Sequence, residues 1–182
     1  RVSDSVFNGK SVTVLEKGAG DTIFAGTSNG IAIYDSREWK LIDNVWVTSM
    51  LVDSRGVAWV GSKTGLFALH GQQLTRVDTI PPTVWVTSII EDSSGGVWVG
   101  SSSHGMYNYD RTNWTILPAI SGLPSGDILM TRWRGTVVAA SYEPSSGRGG
   151  LFLWKDDSWQ PFDTTAQGYP FKQFTDYSTC AT

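Results

Sequence analysis

The stretches VTSMLVDSRGVAWVG (47–61) and VTSIIEDSSGGVWVG (86–100) decide the fold, because they are one phrase written twice. Each runs from Val to Gly without a gap, and a looser copy, VTVLEKGAGDTIFAG (12–26), precedes them. After each copy come a short polar loop, a second glycine (Gly30, Gly65, Gly105) and an alternating run, IAIYD, LFALH or MYNYD. Nine residues past that glycine stands a large apolar residue: Trp39, Leu74 and Trp114. A more divergent fourth unit reads DILMTRWRGTVVAAS (127–141), then Gly150 and LFLWK, with Trp159 again nine residues on. Landmarks that stay in register at a spacing of about 35 to 40 residues mark a structural repeat.

Each unit holds four short runs of alternating polarity separated by turn residues. In the third unit they cover about 86–91, 96–101, 105–110 and 113–117, with turns at DSSG, SSSH and DRTN. Such runs read as antiparallel strands, since side chains alternate between the two faces of a sheet. No window carries a helical period, and the connections are too short for helical crossovers. The expected fold is all-β: a single domain over 1–182 of β-propeller-type, four-stranded antiparallel blades, about four in number. The units fall at approximately 11–44, 45–83, 84–124 and 125–163, leaving 164–182 as a tail or the start of a further blade. One blade cannot cover both of its faces, so Trp39, Trp59, Trp98, Trp114 and Trp159 are expected to pack between blades.

The whole chain agrees with that reading. Charged residues are only 17% of it and the nine tryptophans are many, which suits short strands packed face to face. Net charge is −3 and no Lys/Arg cluster exceeds two neighbours, so the basic footprint of a nucleic-acid binder is missing. No run of about 18 uncharged apolar residues offers a membrane-spanning helix. Cys180 is the one cysteine and forms no internal disulfide. The chain starts at Arg1, as expected of a processed product or an excised piece.

At WVGSKTGLFAL (59–69) and DSSGGVWVGSSSHGMYNYD (92–110) the sequence resembles the two-component regulator propeller repeat, whose frame is Asp-x-x-Gly-x-x-Trp-Val-Gly-Thr-x-x-Gly-Leu-Tyr. Asp53, Gly56, Trp59, Val60, Gly61 and Gly65 match it, as do Asp92, Gly95, Trp98, Val99, Gly100, Gly105 and Tyr107 with one extra loop residue. The first unit keeps Gly26, Thr27, Gly30 and Tyr34 with Phe24 for Trp; the fourth has Val138 and Ala140 where Trp and Gly would stand. The Asp-box of sialidases has one residue between Asp and Gly rather than two, and streptogramin-lyase propellers follow the Trp with aromatic-Thr rather than Val-Gly. The resemblance implies an extracytoplasmic sensor region, periplasmic or extracellular, of the kind that detects polysaccharide fragments.

Further expectations concern closure and binding. The tail strand closes the ring if it pairs with the first blade; otherwise an open edge calls for a second copy or further blades of a longer parent. The reading favoured is a partial propeller or one completed by oligomerisation. In an up-and-down blade, the chain leading into the first strand and the loop between the second and third lie at one end. That end collects Asn44, Trp46, Trp85, TSN (27–29), SKT (62–64), SSSH (101–104) and the long loop SYEPSSGRG (141–149). Trp46 and Trp85 correspond to Ser11 and Ser125, so the repeat does not require Trp there. Three uses are open to them: packing on a neighbouring blade to fill the channel, stacking against a sugar or other small ligand beside Asn44, Lys63, His104, Tyr142 and Arg148, or a protein interface.

Signals for chemistry are sparse. His70 and His104 are expected on opposite faces, a lone Cys and separated His give no zinc site, and neither a metal nor a cofactor is expected. Asp53, Glu91 and Asp92 occupy turns, where Asp ordinarily caps its own backbone. No catalytic residue is assigned. The function expected is a non-catalytic, ligand-binding sensor module. The alternatives are a lyase-type or glycan-cleaving propeller enzyme, which needs a His or carboxylate pair at the channel mouth, and a protein-interaction scaffold.

Overall fold

The computed structural model describes residues 6–42, 44–102, 104–117, 126–143 and 148–162, apart from the side chains of 142, 143 and 148. Ser125, Cys180 and the tail 164–182 lie outside the described residues. The described residues form sixteen strands and no helix. The first blade is β1 (Val12–Lys17), β2 (Ile23–Thr27), β3 (Gly30–Tyr34) and β4 (Trp39–Ile42). The second is β5 (Val47–Val52), β6 (Ala58–Ser62), β7 (Gly65–His70) and β8 (Gln73–Arg76). The third is β9 (Trp85–Glu91), β10 (Val97–Ser102), β11 (Met106–Tyr109) and β12 (Trp114–Leu117). The fourth is β13 (Asp127–Trp133), β14 (Thr136–Glu143), β15 (Arg148–Lys155) and β16 (Ser158–Pro161). Within each blade, consecutive strands pair antiparallel. One bridge, Ser102 to Asp127, joins the third blade to the fourth. The chain is thus an all-β, propeller-type stack of four-stranded blades.

The repeated Val-Thr-Ser has a specific job. In β1, β5 and β9 the pairing skips one residue, from Val12 to Val14, from Val47 to Ser49 and from Val86 to Ser88. The skipped residue is the threonine, extruded in a β-bulge. Each extruded hydroxyl donates to a carbonyl of the next blade's first strand: Thr13 to Val47 at 2.8 Å, Thr48 to Val86 at 2.6 Å, Thr87 to Ile128 at 2.6 Å. The inner strands therefore come close, and the facing glycine has no room for a side chain. A Cβ on Gly61 would fall under 3.0 Å from Val86, and one on Gly100 under 3.0 Å from the Ile128 carbonyl. The fourth blade has neither device. Its β13 pairs with β14 without a skip, and Ala140 stands where the others have Gly.

Between blades the aromatic residues interlock by one rule. The Trp of a blade's second strand meets the strand-three and strand-four aromatics of the next blade. Trp59 lies 5.8 Å from both Tyr109 and Trp114, and Trp98 lies 5.1 Å from Trp154 and 5.8 Å from Trp159. At the first interface the corresponding residues are Phe24, Leu69 and Leu74, part of one apolar cluster. These smaller groups leave a cleft of about 360 Å³ lined by Phe24, Leu69 and Gly71 among others. On the outward face of the first blade the Phe7 ring meets Trp39 at 5.0 Å. Leu15 is 63% exposed, whereas Met50 and Ile89 at the same register are buried against a preceding blade.

The fourth blade departs from expectation in one respect. The expected long loop over 141–149 is mostly strand: Tyr142 pairs with Gly149 and Glu143 with Arg148, so only 144–147 connect them. Residues 142, 143, 148 and 149 continue the ladder because the backbone groups there find partners.

Candidate functional site

The alternation of a strand places the rim residues. Val84 and Val86 are buried, so Trp85 between them points the other way; Trp46 likewise precedes the buried Val47. Val47 pairs with Ser62, which brings Trp46 opposite Lys63 at the end of the ladder. The Lys63 ammonium stands 3.6 Å from the centroid of the Trp46 ring and 4.8 Å from that of Trp85. One cation is thus shared by two indoles from adjoining blades, an arrangement favoured by the negative face of the aromatic ring. The indoles are far from buried, Trp46 at 48% and Trp85 at 42% exposure. In the first blade the register equivalents, Ser11 and Ser28, close on each other by hydrogen bonds between Ser11 N–H and the Ser28 hydroxyl and between Ser28 N–H and the Ser11 carbonyl.

The turn that carries Lys63 is fixed. The Ser62 hydroxyl donates to the Gly65 carbonyl at 3.0 Å and accepts from the Thr64 N–H at 2.9 Å. The Arg76 guanidinium donates to the Thr64 carbonyl at 2.8 Å. Lys63 has no ion pair and no hydrogen-bond acceptor among the described residues; its contacts are the two rings.

Of the other residues expected at the rim, Asn44 is exposed just before Trp46, and His104 is exposed in the β10–β11 loop with its Nδ1–H donated to the Ser102 carbonyl at 3.2 Å. His104 has no titratable partner among the described residues. Tyr142 and Arg148 stand on the paired ends of β14 and β15, not on a loop. Asp127, which opens β13 beside Ser102, adds an exposed carboxylate on the fourth-blade side.

The opposite end of the same two blades is built from similar residue types in a closed form. Asp53 Oδ1 accepts from the N–H groups of Arg55 and Val57, and its Oδ2 accepts from the Trp59 indole N–H at 2.9 Å. Asp92 repeats this with Ser94, Gly96 and Trp98. The Asp-x-x-Gly-x-x-Trp frame is therefore a carboxylate holding its own turn and the buried edge of the indole. Arg111, from the β11–β12 turn, reaches across to Asp53 at 2.5 Å and to Glu91. Glu91 was expected to serve its own turn; it instead binds Arg111 and the Ser54 N–H and hydroxyl of the second blade. The Asp53 carboxyl is held below the ordinary carboxylate range: burial opposes ionisation, but the Trp59 N–H, Arg111 and the backbone donors outweigh it. Asp92 is lowered in the same way, burial again opposing and Ser94, Trp98 and Gly96 prevailing.

The fold is similar to that of known structures. The family model of the two component regulator propeller matches residues 80–103, the segment from the second-to-third blade linker through β10. The extracellular domain of BT3049 from B. thetaiotaomicron, described as a hybrid two component system, superposes with a TM-score of 0.66 at 19% identity, over 87% of this chain and 24% of that one. The extracellular domain of BT4673 from the same organism gives 0.67 at 17% identity, over 84% and 22%. The computationally designed Ika4 protein gives 0.58 at 13% identity, over 79% and 91%. The chain spans about a quarter of the two bacterial domains. No curated protein matches it. Among the described residues no helix is long and apolar enough to cross a membrane.

Proposed function

We propose that this chain is part of a ligand-binding, signal-sensing propeller that works outside the cytoplasm and takes an oligosaccharide or similar small molecule at the Trp46–Lys63–Trp85 rim. The observation that carries the reading is the sharing of one ammonium, unpaired among the described residues, by two half-exposed indoles from different blades. Flat, exposed indoles offer apolar area with a polar edge, which suits the alternating apolar and hydroxylated faces of a sugar. The match to the regulator repeat and the extracellular setting of the similar domains support the sensing role and the location.

Sensing follows from where the rim sits. Thr48, two residues past Trp46, donates to the carbonyl of Val86, the residue after Trp85. A ligand spanning both indoles bears on that joint and favours one relative setting of the second and third blades; only such a difference in affinity between settings shifts their populations. Titration with a panel of glycan fragments, followed by tryptophan fluorescence, tests the reading. The native protein is expected to respond, and the Trp46→Ala/Trp85→Ala double variant to lose the response. Equal responses from both proteins, or none from either, would contradict it.

A further inference from the structure

Resting on that reading, we infer that the ligand is anionic: a sugar bearing a carboxylate or sulfate group, which Lys63 binds while the indoles stack on the ring. Lys63 stands at the rim of a chain whose net charge is −3. Lys63 offers three N–H donors and, among the described residues, has no acceptor to receive them. The indoles at 3.6 Å and 4.8 Å strip water from part of the ammonium without neutralising it. A partly dehydrated, uncompensated cation attracts an anion more strongly than a fully hydrated one, because the effective dielectric around it is lower.

Two further observations point the same way. Arg76, at the end of β8, is held to the carbonyl of the same turn at Thr64 and likewise has no ion pair among the described residues. A second cation thus stands beside the turn that carries Lys63. The first blade solves the same position with a neutral Ser11–Ser28 clasp that leaves nothing to offer. Replacing that clasp by Trp and Lys exposes apolar area and a charge where the fold needs neither. The acid Asp127 on the fourth-blade side gives the rim a polarity, which orients the anionic group of the ligand toward the second blade.

The test uses oligosaccharides of matched length that are neutral, uronate-containing or sulfated, titrated by calorimetry against the native chain, Lys63→Gln and Lys63→Arg. The native chain is expected to prefer an acidic set about tenfold over the neutral one. That preference should shrink as salt rises from about 50 to about 500 mM. Lys63→Gln should erase it, and Lys63→Arg should keep part of it. Tighter uronate binding assigns a carboxylate and tighter sulfate binding assigns a sulfate; both support the inference. Equal affinity for neutral and acidic sets, or a preference unchanged in Lys63→Gln, overturns the anionic ligand while leaving the rim as a glycan site. Failure of all three sets to bind overturns the rim reading and the inference together. Unchanged thermal unfolding of Lys63→Gln shows that any loss is one of binding.

Discussion

The second and third blades meet at two ends, and each end contains tryptophan and a cation. At one end Trp59 is buried, its N–H is taken by Asp53, and Arg111 is paired with Asp53 and Glu91. At the other, Trp46 and Trp85 are half-exposed and Lys63 is paired with neither acid nor hydrogen-bond acceptor among the described residues. Satisfaction, rather than residue type, separates them. At the closed end Asp53, Trp59, Glu91 and Arg111 are engaged with one another, and they hold the blades together. The open end keeps unspent contacts that a ligand can take up.

Breaking the closed end should give the largest effect. Asp53→Ala removes the acceptor of the Trp59 N–H and leaves Arg111 partly uncompensated in a buried site. Denaturant unfolding is expected to show a loss of about 3–5 kcal/mol. Arg111→Met should also destabilise, because it leaves the Asp53 and Glu91 carboxylates without their shared cation. Its loss should be smaller, since the Trp59 N–H and two backbone N–H groups still hold Asp53. Equal losses would show that the ion pair, rather than the Asp–turn–Trp clamp, holds the interface.

Acid should weaken the same end selectively. The carboxyls of Asp53 and Asp92 are lowered in the folded state, so their contribution is complete above the unfolded-state value near about 3.9 and is lost as pH falls through the folded value. Thermal melts should therefore be flat above about pH 5 and fall steeply below about pH 4, and Asp92→Asn should show a shallower fall. A curve that is unchanged in Asp92→Asn would remove that carboxyl from the account.

The interface between the first and second blades sharpens the comparison, since it lacks the closed end's parts. Gly18 stands for Asp53, Phe24 for Trp59, Gly71 for Arg111 and Leu74 for Trp114, and a cleft remains. Leu69→Tyr, which puts the equivalent of Tyr109 at a residue lining the cleft, should fill part of it and raise stability by about 0.5–2 kcal/mol. Destabilisation would mean that the cleft is narrower than its lining suggests.

Much of this was legible in the sequence. The fold followed from landmarks held in register across units, because each blade repeats the same burial. The rim followed from topology: Trp46, Lys63 and Trp85 share an end in any up-and-down blade. The Arg111 network was not legible, because Arg111 lies 58 residues from Asp53 and only one blade carries Arg at that turn position. That position has positive φ in every blade, at Ser36, Gly71, Arg111 and Asp156, which a sequence does not announce for Arg. The threonine ties were hidden for another reason. Thr in a strand reads as ordinary β-propensity until the bulge that extrudes it is seen. The turn chemistry between Tyr142 and Arg148 suggests a loop over both, whereas the ladder runs through both.

At the open end the expected stability effects are the smallest. Trp46→Ala and Trp85→Ala should each change unfolding free energy by no more than about 1 kcal/mol, the scale of an exposed cation–π contact. The most direct measurement is two-dimensional NMR of the tryptophan indole N–H signals during titration with acidic and neutral glycan fragments. The account predicts that the Trp46 and Trp85 signals move while those of Trp59 and Trp98 stay in place. Movement of Trp59 and Trp98 with Trp46 and Trp85 unmoved, or no movement at all, would contradict it.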